Sequence, residues 1–386
     1  MTSRTRRTVI LVTAPVILFV VIGGLLGQTV TRSETYRHLR VFEDVISLVL
    51  ANYVEDVEPA KVMNGAMRGL ADGLDADSAF LPPDQVRIIE RGDKPPAADV
   101  GLVLTRVYYL RIVAVRDGSP AARAGLAPGD FVRTIDGKPT REMSAFEGMH
   151  LLGGSPGSKV TLMIIRGNAA EPHMVELVRE PVPATEVSGR IAAPGIGYLR
   201  IAAFGPRAVD AIRTQVAGLS REGATRLLID LRGTAEGRLS DGLAAARLFV
   251  ASGTLGIYES KGPVRRPVTA AAGDGSVTLP IVLLVNVGTS GPAELFAAAL
   301  AGNKRADLVG ERTIGRAAEQ TLAKLPDGSG LWLSTAWYLT PGGAVIHEKG
   351  LTPEVLVAEP DVEFGAPAPT SDPILEKGLE RLKDRQ

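Results

Sequence analysis

The spacing of apolar positions changes several times along the chain. From Thr8 to Gly27 the text TVILVTAPVILFVVIGGLLG runs for about twenty residues without a charge, long enough for one helix to cross a bilayer. Arg4, Arg6 and Arg7 precede it, and basic residues on that flank hold it in the cytoplasm, so everything after Gln28 is expected on the outer side. The run is longer than an ordinary signal core, and GQTVTRSE after it has no clear small-x-small cleavage site, which favours an uncleaved anchor over a signal peptide. Residues 1–30 are therefore read as a basic tip and membrane helix. Between Glu34 and Ile89 the apolar residues Val41, Val45, Ile46, Leu48 and Val49, then Val62, Met63, Met67 and Leu70, recur at helical spacing and predict a helical segment over 34–92. It closes at LDADSAFLPPDQ, where Asp75, Asp77 and the proline pair Pro82-Pro83 stop helices and force a turn. RGDKPPAA is a short linker.

Over 96–183 the pattern becomes short strands between glycine turns: VGLVL, LRIVAV, DFVRTIDG and SKVTLMIIRG, with SPAARAGL as a short helix after a Ser-Pro start. Over 184–364 strands and helices alternate. IGYLRIAAF is followed by a helix over Ala208 to Ser220, TRLLIDLRG by a helix over Asp241 to Ala251, and PIVLLVN by a helix over Ala293 to Gly302; ADLVGER and a strand pair from Leu322 to Tyr338 complete the set. Apolar runs such as RLLIDL and IVLLVN beside helices indicate an α/β layer buried on both faces. Residues 365–386 are a proline-rich connector and an amphipathic helix whose Leu375, Leu379 and Leu382 need a docking surface.

Composition narrows the function classes. With 43 basic and 43 acidic residues the formal charge is zero, so the long-range field that gathers nucleic acid is missing. There is no cysteine, hence no disulfide, thiolate chemistry or Cys-ligated zinc. His38, His150, His173 and His347 stand singly, without the i, i+4 spacing of a metal-ligand pair, and no phosphate loop is present. No metal and no cofactor is expected.

The stretch SPAARAGLAPGDFVRTIDGKP, with Gly125, Gly129, Asp130 and Asp136-Gly137 at its turns, resembles the central signature of a PDZ domain. That resemblance implies a partly open β-barrel that captures a chain terminus with backbone N–H groups and lays the peptide along a strand edge. The matching loop is AADVGLVL, which places peptide binding at Val100, Gly101, Leu102 and Val103, and Asp99 stands where relatives show the first of two glycines. The whole order from about Val41 to the C-terminus is similar to the carboxyl-terminal processing peptidases, or tail-specific proteases. LDADSAFL, GYLRIAAF, LLIDLRG, LLVNVGTSGPAELFAAAL, LVGERTIGRAAEQ and WYLTPGGAVIHEKGLTPEV follow in that family's order. The fold so implied is an α/β, Clp-protease/crotonase-like peptidase core with an inserted PDZ domain, an N-terminal helical segment and a single membrane helix.

That family uses a serine nucleophile, a lysine base, a glutamine that orients the lysine, and a backbone oxyanion hole. The serine position, three residues before Glu294, is Gly291 here; Pro292 suits a first helical position, so Gly291 is expected at the N-cap. Glycine offers no attacking atom. The lysine turn corresponds to Ile314, Gly315, Arg316 and Ala317, and a guanidinium does not give up its proton to act as a base. Gln320 matches the orienting glutamine. Where the family has Asp-Leu-Arg-x-Asn-Pro-Gly-Gly, this chain has Asp230, Leu231, Arg232, Gly233, Thr234, Ala235, Glu236 and Gly237, and the Glu236 carboxylate opposes stabilisation of an oxyanion. Ser290 is the substitute nucleophile to weigh, although its hydroxyl is read as hydrogen-bonding the helix start, and Thr289 before it as facing a strand neighbour. Lys304 and Lys324 are read as solvated, Ser334 as a strand residue, and Asp230, Arg232 and Glu311 as structural charges.

The resulting expectation is a non-catalytic homologue on the periplasmic side of a bacterial inner membrane, single-pass, binding protein C-termini or partner proteins. The alternative is an active serine endopeptidase cleaving near C-termini. The expected partners are unfolded or C-terminal peptide segments, the membrane through the N-terminal helix, and a homo- or hetero-oligomer with an active paralogue; nucleic acid is not among them.

Overall fold

The computed structural model describes residues 36–92, 96–167, 171–182, 187–262, 264–360, 362–366 and 369–384. The apolar run read as a membrane anchor lies outside them, and no helix among the described residues is long and apolar enough to cross a membrane. The chain divides into two compact units, Met1–Gly69 and Leu70–Gln386. Within the first, the helical periodicity is realised as a helix over 36–52 and the greater part of helix Pro59–Asp72.

The second unit begins with a difference from the sequence reading. LDADSAFLPPDQ forms a turn, as expected, but then a strand, Ala79–Leu81, and Pro83 opens a new helix, Pro83–Arg91, instead of only ending one. Proline is compatible with the first turn because the N–H it lacks has no intrahelical partner there. The strand pairs antiparallel with Gly330–Leu339, matching Ala79 to Trp332, so this segment belongs to the sheet of the α/β domain.

The PDZ-like module holds a sheet of six strands in the order Leu102–Arg106, Leu110–Val115, Phe131–Ile135, Lys159–Ile165, His173–Val178, with Lys138–Pro139 beside Phe131–Ile135. Alternate residues such as Val160, Leu162 and Ile164 point into its core. Ser119 caps the short helix Pro120–Arg123 by accepting from the Ala122 N–H at 3.2 Å, as the Ser-Pro start suggests. Helix Ala145–Leu152 lies against strand Leu102–Arg106 and leaves a groove between them.

The α/β domain has two sheets. The first runs in the order Val187–Ala193, Ile196–Ile201, Arg226–Asp230, Ile281–Val285, Ala306–Gly310, Val355–Leu356, with one antiparallel hairpin and parallel pairs thereafter. Its central strands carry continuous apolar runs, Leu227 to Ile229 and Ile281 to Val285, because both faces are covered. Leu227, Ile229, Ile281, Leu283 and Val285 meet one core cluster, and Leu228, Val282 and Leu284 the other. The C-terminal helix Pro373–Asp384 provides that second cover through Ile374, Gly378 and Leu382, with Leu375 and Leu379 partly buried beside them. The second sheet contains Thr254–Ser260, Val264–Thr269, Ala318–Lys324 and Gly330–Leu339. The helix expected over Asp241 to Ala251 runs instead over Leu239–Ala246, and turns carry Leu248 and Phe249 into the core.

Helices Leu239–Ala246 and Pro292–Gly302 pack closely enough that a Cβ built at Gly242 would overlap the Pro292 carbonyl oxygen. Gly242→Ala is therefore expected to displace one helix and cost about 1–3 kcal/mol. The urea midpoint of the variant reads this directly, and a midpoint equal to wild type would show that the contact relaxes freely.

Candidate active site

The strand Ile281–Val285 delivers the chain into a tight turn and then into helix Pro292–Gly302. Asn286 N–H donates to Thr289 Oγ1 at 3.1 Å, and Asn286 Oδ1 accepts from Gly288 N–H and Gly233 N–H, both at 3.0 Å. Thr289, fully buried, donates its hydroxyl to the Leu231 carbonyl at 2.9 Å. Ser290 is 1% exposed, and it is its backbone that ties the turn: its N–H donates to the Thr234 carbonyl at 2.9 Å and its carbonyl accepts from Ala293 N–H at 3.2 Å. The helix start is thus closed by Ser290's main chain and not by the hydroxyl, as the sequence reading had it.

Gly291 is the N-cap, with φ 59° and ψ −117°. This is the sharp strand-to-helix bend that presents a nucleophile in hydrolases of several folds, and glycine adopts it at little cost. A Cβ there would have ordinary clearance, its nearest neighbours being the Arg316 carbonyl oxygen at 3.6 Å, Leu239 Cδ2 at 3.8 Å and the Ala235 carbonyl oxygen at 3.9 Å. The turn has room for an attacking side chain and carries none. Such a bend also places an oxyanion donor on the N–H of the residue after the nucleophile. Here that residue is Pro292, which has no N–H.

Glu294, in the first turn of the helix, organises the surroundings. It is fully buried, and its carboxylate accepts from Gly291 N–H at 3.0 Å, Gly315 N–H at 2.7 Å, Arg316 N–H at 2.7 Å and, at close range, the Thr313 hydroxyl. Burial pushes this carboxyl above the ordinary range, with the four hydrogen bonds opposing. The turn that matches the family's lysine is in this way bound to the nucleophile turn.

Arg316 faces out of that turn. Its Nη2 pairs with Asp77 Oδ1 at 2.7 Å, and its Nε reaches both Asp77 oxygens at 3.0 and 3.2 Å. Asp77 is set by Asp75, which accepts from Asp77 N–H, Ser78 N–H and the Ser78 hydroxyl. Gln320 donates to Ser334 Oγ at 3.3 Å, while Arg316 turns to Asp77; Ser334 lies within a strand, as read from the sequence. Arg316, Asp77 and Gln320 border a cavity of about 210 Å³ whose apolar wall includes Val103, Leu104, Phe146, Met149 and Trp332. Lys324 pairs with Glu90, and Lys304 is exposed in a turn.

The stretch expected to match an oxyanion hole carries paired charge. Glu236 pairs with Arg116 of the PDZ-like module at 3.5 Å, and Gly237 sits beside Phe204 in a short parallel pair. The next residue of the module, Asp117, pairs with Arg200 of the α/β domain at 2.7 Å. Arg116 in turn holds Asp99. Behind the stretch lies a polar cavity of about 450 Å³ bordered by Asp117, Tyr198, Arg200, Asp230, Arg232 and Glu359. Burial alone would raise the Asp230 carboxyl, but hydrogen bonds and charge from Arg232, with Arg200, hold it below the usual carboxylate range. Burial and the neighbouring Asp230 raise the Tyr198 hydroxyl, and burial raises Glu359. Glu311 accepts from Glu359 N–H at 3.0 Å, the structural role expected of it. Among the described residues no group of three or more His, Asp or Glu is arranged to hold a metal.

Four elements were missed by sequence reasoning: Asp77 as partner of Arg316, Arg116 as partner of Glu236, the missing donor at Pro292, and the carboxylate role of Glu294. The last had a local signal, since Glu three residues after an N-cap is the spacing of a capping box. Arg232 stands between Asp230 and Asp372, pairing with them at 2.7 and 2.8 Å. Arg232→Met strands the buried Asp230 carboxylate, with an expected cost of about 3–5 kcal/mol near neutral pH. In the wild type the lowered Asp230 pKa contributes stability above its ordinary value of 3.8, lost as pH falls through the folded value. In the variant burial raises that pKa, so the contribution is present below 3.8 and lost as pH rises. Unfolding free energies measured from about pH 3 to 6 should therefore change slope at this site; an unchanged slope would show that Asp230 does not depend on Arg232.

Comparison with known proteins identifies both modules. Residues 195–357 match Peptidase family S41, and residues 111–166 match the PDZ domain. The chain is 32% identical to a carboxyl-terminal-processing protease of Synechocystis sp. over 310 residues, 78% of this chain and 72% of that protein. It is 28% identical to a carboxy-terminal-processing protease of Bartonella bacilliformis over 347 residues, 87% of this chain and 79% of that one. Among solved structures, the photosystem II D1 C-terminal processing protease superposes with a TM-score of 0.69 at 27% identity, covering 82% of this chain and 92% of its own. With its PDZ-like module, its two-sheet α/β domain and its strand-to-helix bend at Gly291, the chain belongs to peptidase family S41, the carboxyl-terminal-processing proteases.

Proposed function

We propose that this member of the family holds polypeptide segments of other proteins without cutting them, in the cleft where its relatives process theirs, and that it does so anchored by Thr8 to Gly27 on the periplasmic side of a membrane. The observation that carries the reading is the pair Gly291 and Pro292: the bend lacks both the attacking atom and the N–H that follows it. Arg316 adds to it. A guanidinium committed to Asp77 accepts no proton from a nucleophile. Glu236 brings a carboxylate to the stretch where developing negative charge needs donors, and loss of a single such donor typically slows turnover by about 10²–10³-fold. Ser290, the one substitute considered, is buried and its backbone is built into the turn.

The full-length protein incubated with an unfolded protein ending in apolar residues is expected to form a complex with no new chain termini by mass spectrometry and no adduct with a serine-directed fluorophosphonate. Cleavage that disappears on Ser290→Ala would instead assign an active peptidase with a displaced nucleophile. Resistance of the protein to alkaline extraction from membranes checks the anchor, and its complete release would remove that part of the proposal.

A further inference from the structure

The groove between strand Leu102–Arg106 and helix Ala145–Leu152 is open toward Val103, Leu104, Phe146 and Met149. The loop at its end is not. In a loop of this kind, backbone N–H groups are free to receive the carboxylate of a chain terminus. Here Gly101 N–H already donates to Asp99 Oδ1 at 2.9 Å. The other side of the same carboxylate is taken by the Arg116 guanidinium, Nη2 lying close to Oδ1 and Nη1 at 3.4 Å from Oδ2. Arg116 also reaches Glu236, so the cation is shared between two carboxylates of the chain itself.

The arrangement is held from its backbone. Ala98 exchanges hydrogen bonds with Gly154, its N–H donating at 3.2 Å and its carbonyl accepting at 2.9 Å. Asp99 stands opposite Glu180 in a short antiparallel pair, and the carbonyls of Val100 and Gly101 accept from Ala121 N–H and Arg116 N–H. The backbone of Asp99 is therefore fixed, and its carboxylate leaves the loop only by giving up both the Gly101 N–H and the Arg116 guanidinium. An incoming terminal carboxylate would find the donor occupied, the guanidinium engaged and a like charge within hydrogen-bond reach.

We propose that Asp99 is a built-in substitute for a ligand's terminal carboxylate, so that the groove takes an extended apolar stretch from the interior of a partner chain and not a free C-terminus. The proposal rests on the non-cleaving reading above and specifies what that site holds. Its consequence is a specificity opposite to that of an open carboxylate-binding loop: neutral chain continuing past the loop is tolerated, and a terminal charge is rejected.

The test uses one apolar peptide in two forms, free acid and C-terminal amide, titrated by fluorescence polarisation against the full-length protein and its Asp99→Gly and Asp99→Asn variants. Wild type is expected to bind the amide at least as tightly as the acid. In Asp99→Gly, where Gly101 N–H is released and Arg116 keeps only its contact with Glu236, the acid should become tighter than the amide by about tenfold or more. Asp99→Asn, which keeps an oxygen for Gly101 but no charge, should fall between them, and it serves if the glycine variant fails to fold. A wild-type preference for the acid, or an acid-to-amide ratio unchanged in both variants, overturns the proposal, as does the lack of binding of either peptide to any of the three proteins. Cleavage of a bound peptide would overturn the non-cleaving reading alone, because the ratio would still decide the role of Asp99.

Discussion

One buried carboxylate holds the centre of the molecule together. Glu294 has no access to water, and a polar group so placed is tolerated only while its hydrogen-bond donors stay in position. Those donors come from two places far apart in the chain, the helix start at Gly291 and the turn at Thr313, Gly315 and Arg316. Moving either turn would leave the carboxylate short of partners, so the two turns hold each other in place. The bend at Gly291 is fixed in this way by hydrogen bonds to a neighbouring side chain, whatever residue stands at its tip.

Around that fixed centre the two charged residues at positions that differ from the family pattern, Arg316 and Glu236, each face a counter-charge. Arg316, in the place of a base, closes on Asp77 from the turn that precedes strand Ala79–Leu81. Glu236, in the place of a neutral oxyanion-hole residue, closes on Arg116. The two replacements convert groups that would face a substrate into groups that join segments of the fold. A site that has to stabilise transient charge keeps donors uncommitted; the guanidinium groups of Arg316 and Arg116 are both engaged with carboxylates of the chain itself.

Much of the architecture was legible because it follows from period and from local chemistry. The apolar runs at Arg226–Asp230 and Ile281–Val285 could only be strands covered on both faces, and Gly291 followed by Pro292 marked a helix start. Helix Leu239–Ala246 was read too long because Leu248 and Phe249 continue an apolar rhythm while already lying in turns. Strands Thr254–Ser260 and Val264–Thr269 were not read at all. The first is mostly half-exposed, and the second is an outer strand interrupted by Pro267, so neither has the clean alternation of a buried pair. At the site, the losses at Gly291 and Arg316 needed only the identity of the residues. The gains did not: Arg316 and Asp77 are 239 positions apart, Arg116 and Glu236 are 120 apart, and no local pattern announces either pair.

The seat of the PDZ-like module on the α/β domain includes two neighbouring residues of opposite sign, Arg116 facing Glu236 and Asp117 facing Arg200, beside close approaches such as Pro128 to Gly288. Because the two charges are adjacent, a slip of one residue in either direction would set like against like. Such a contact works as a vernier: its attraction is modest, since water screens the outer partners, but it has a single position of agreement. Sign matching thereby indexes the module over the cleft, a contribution to position beyond adhesive strength.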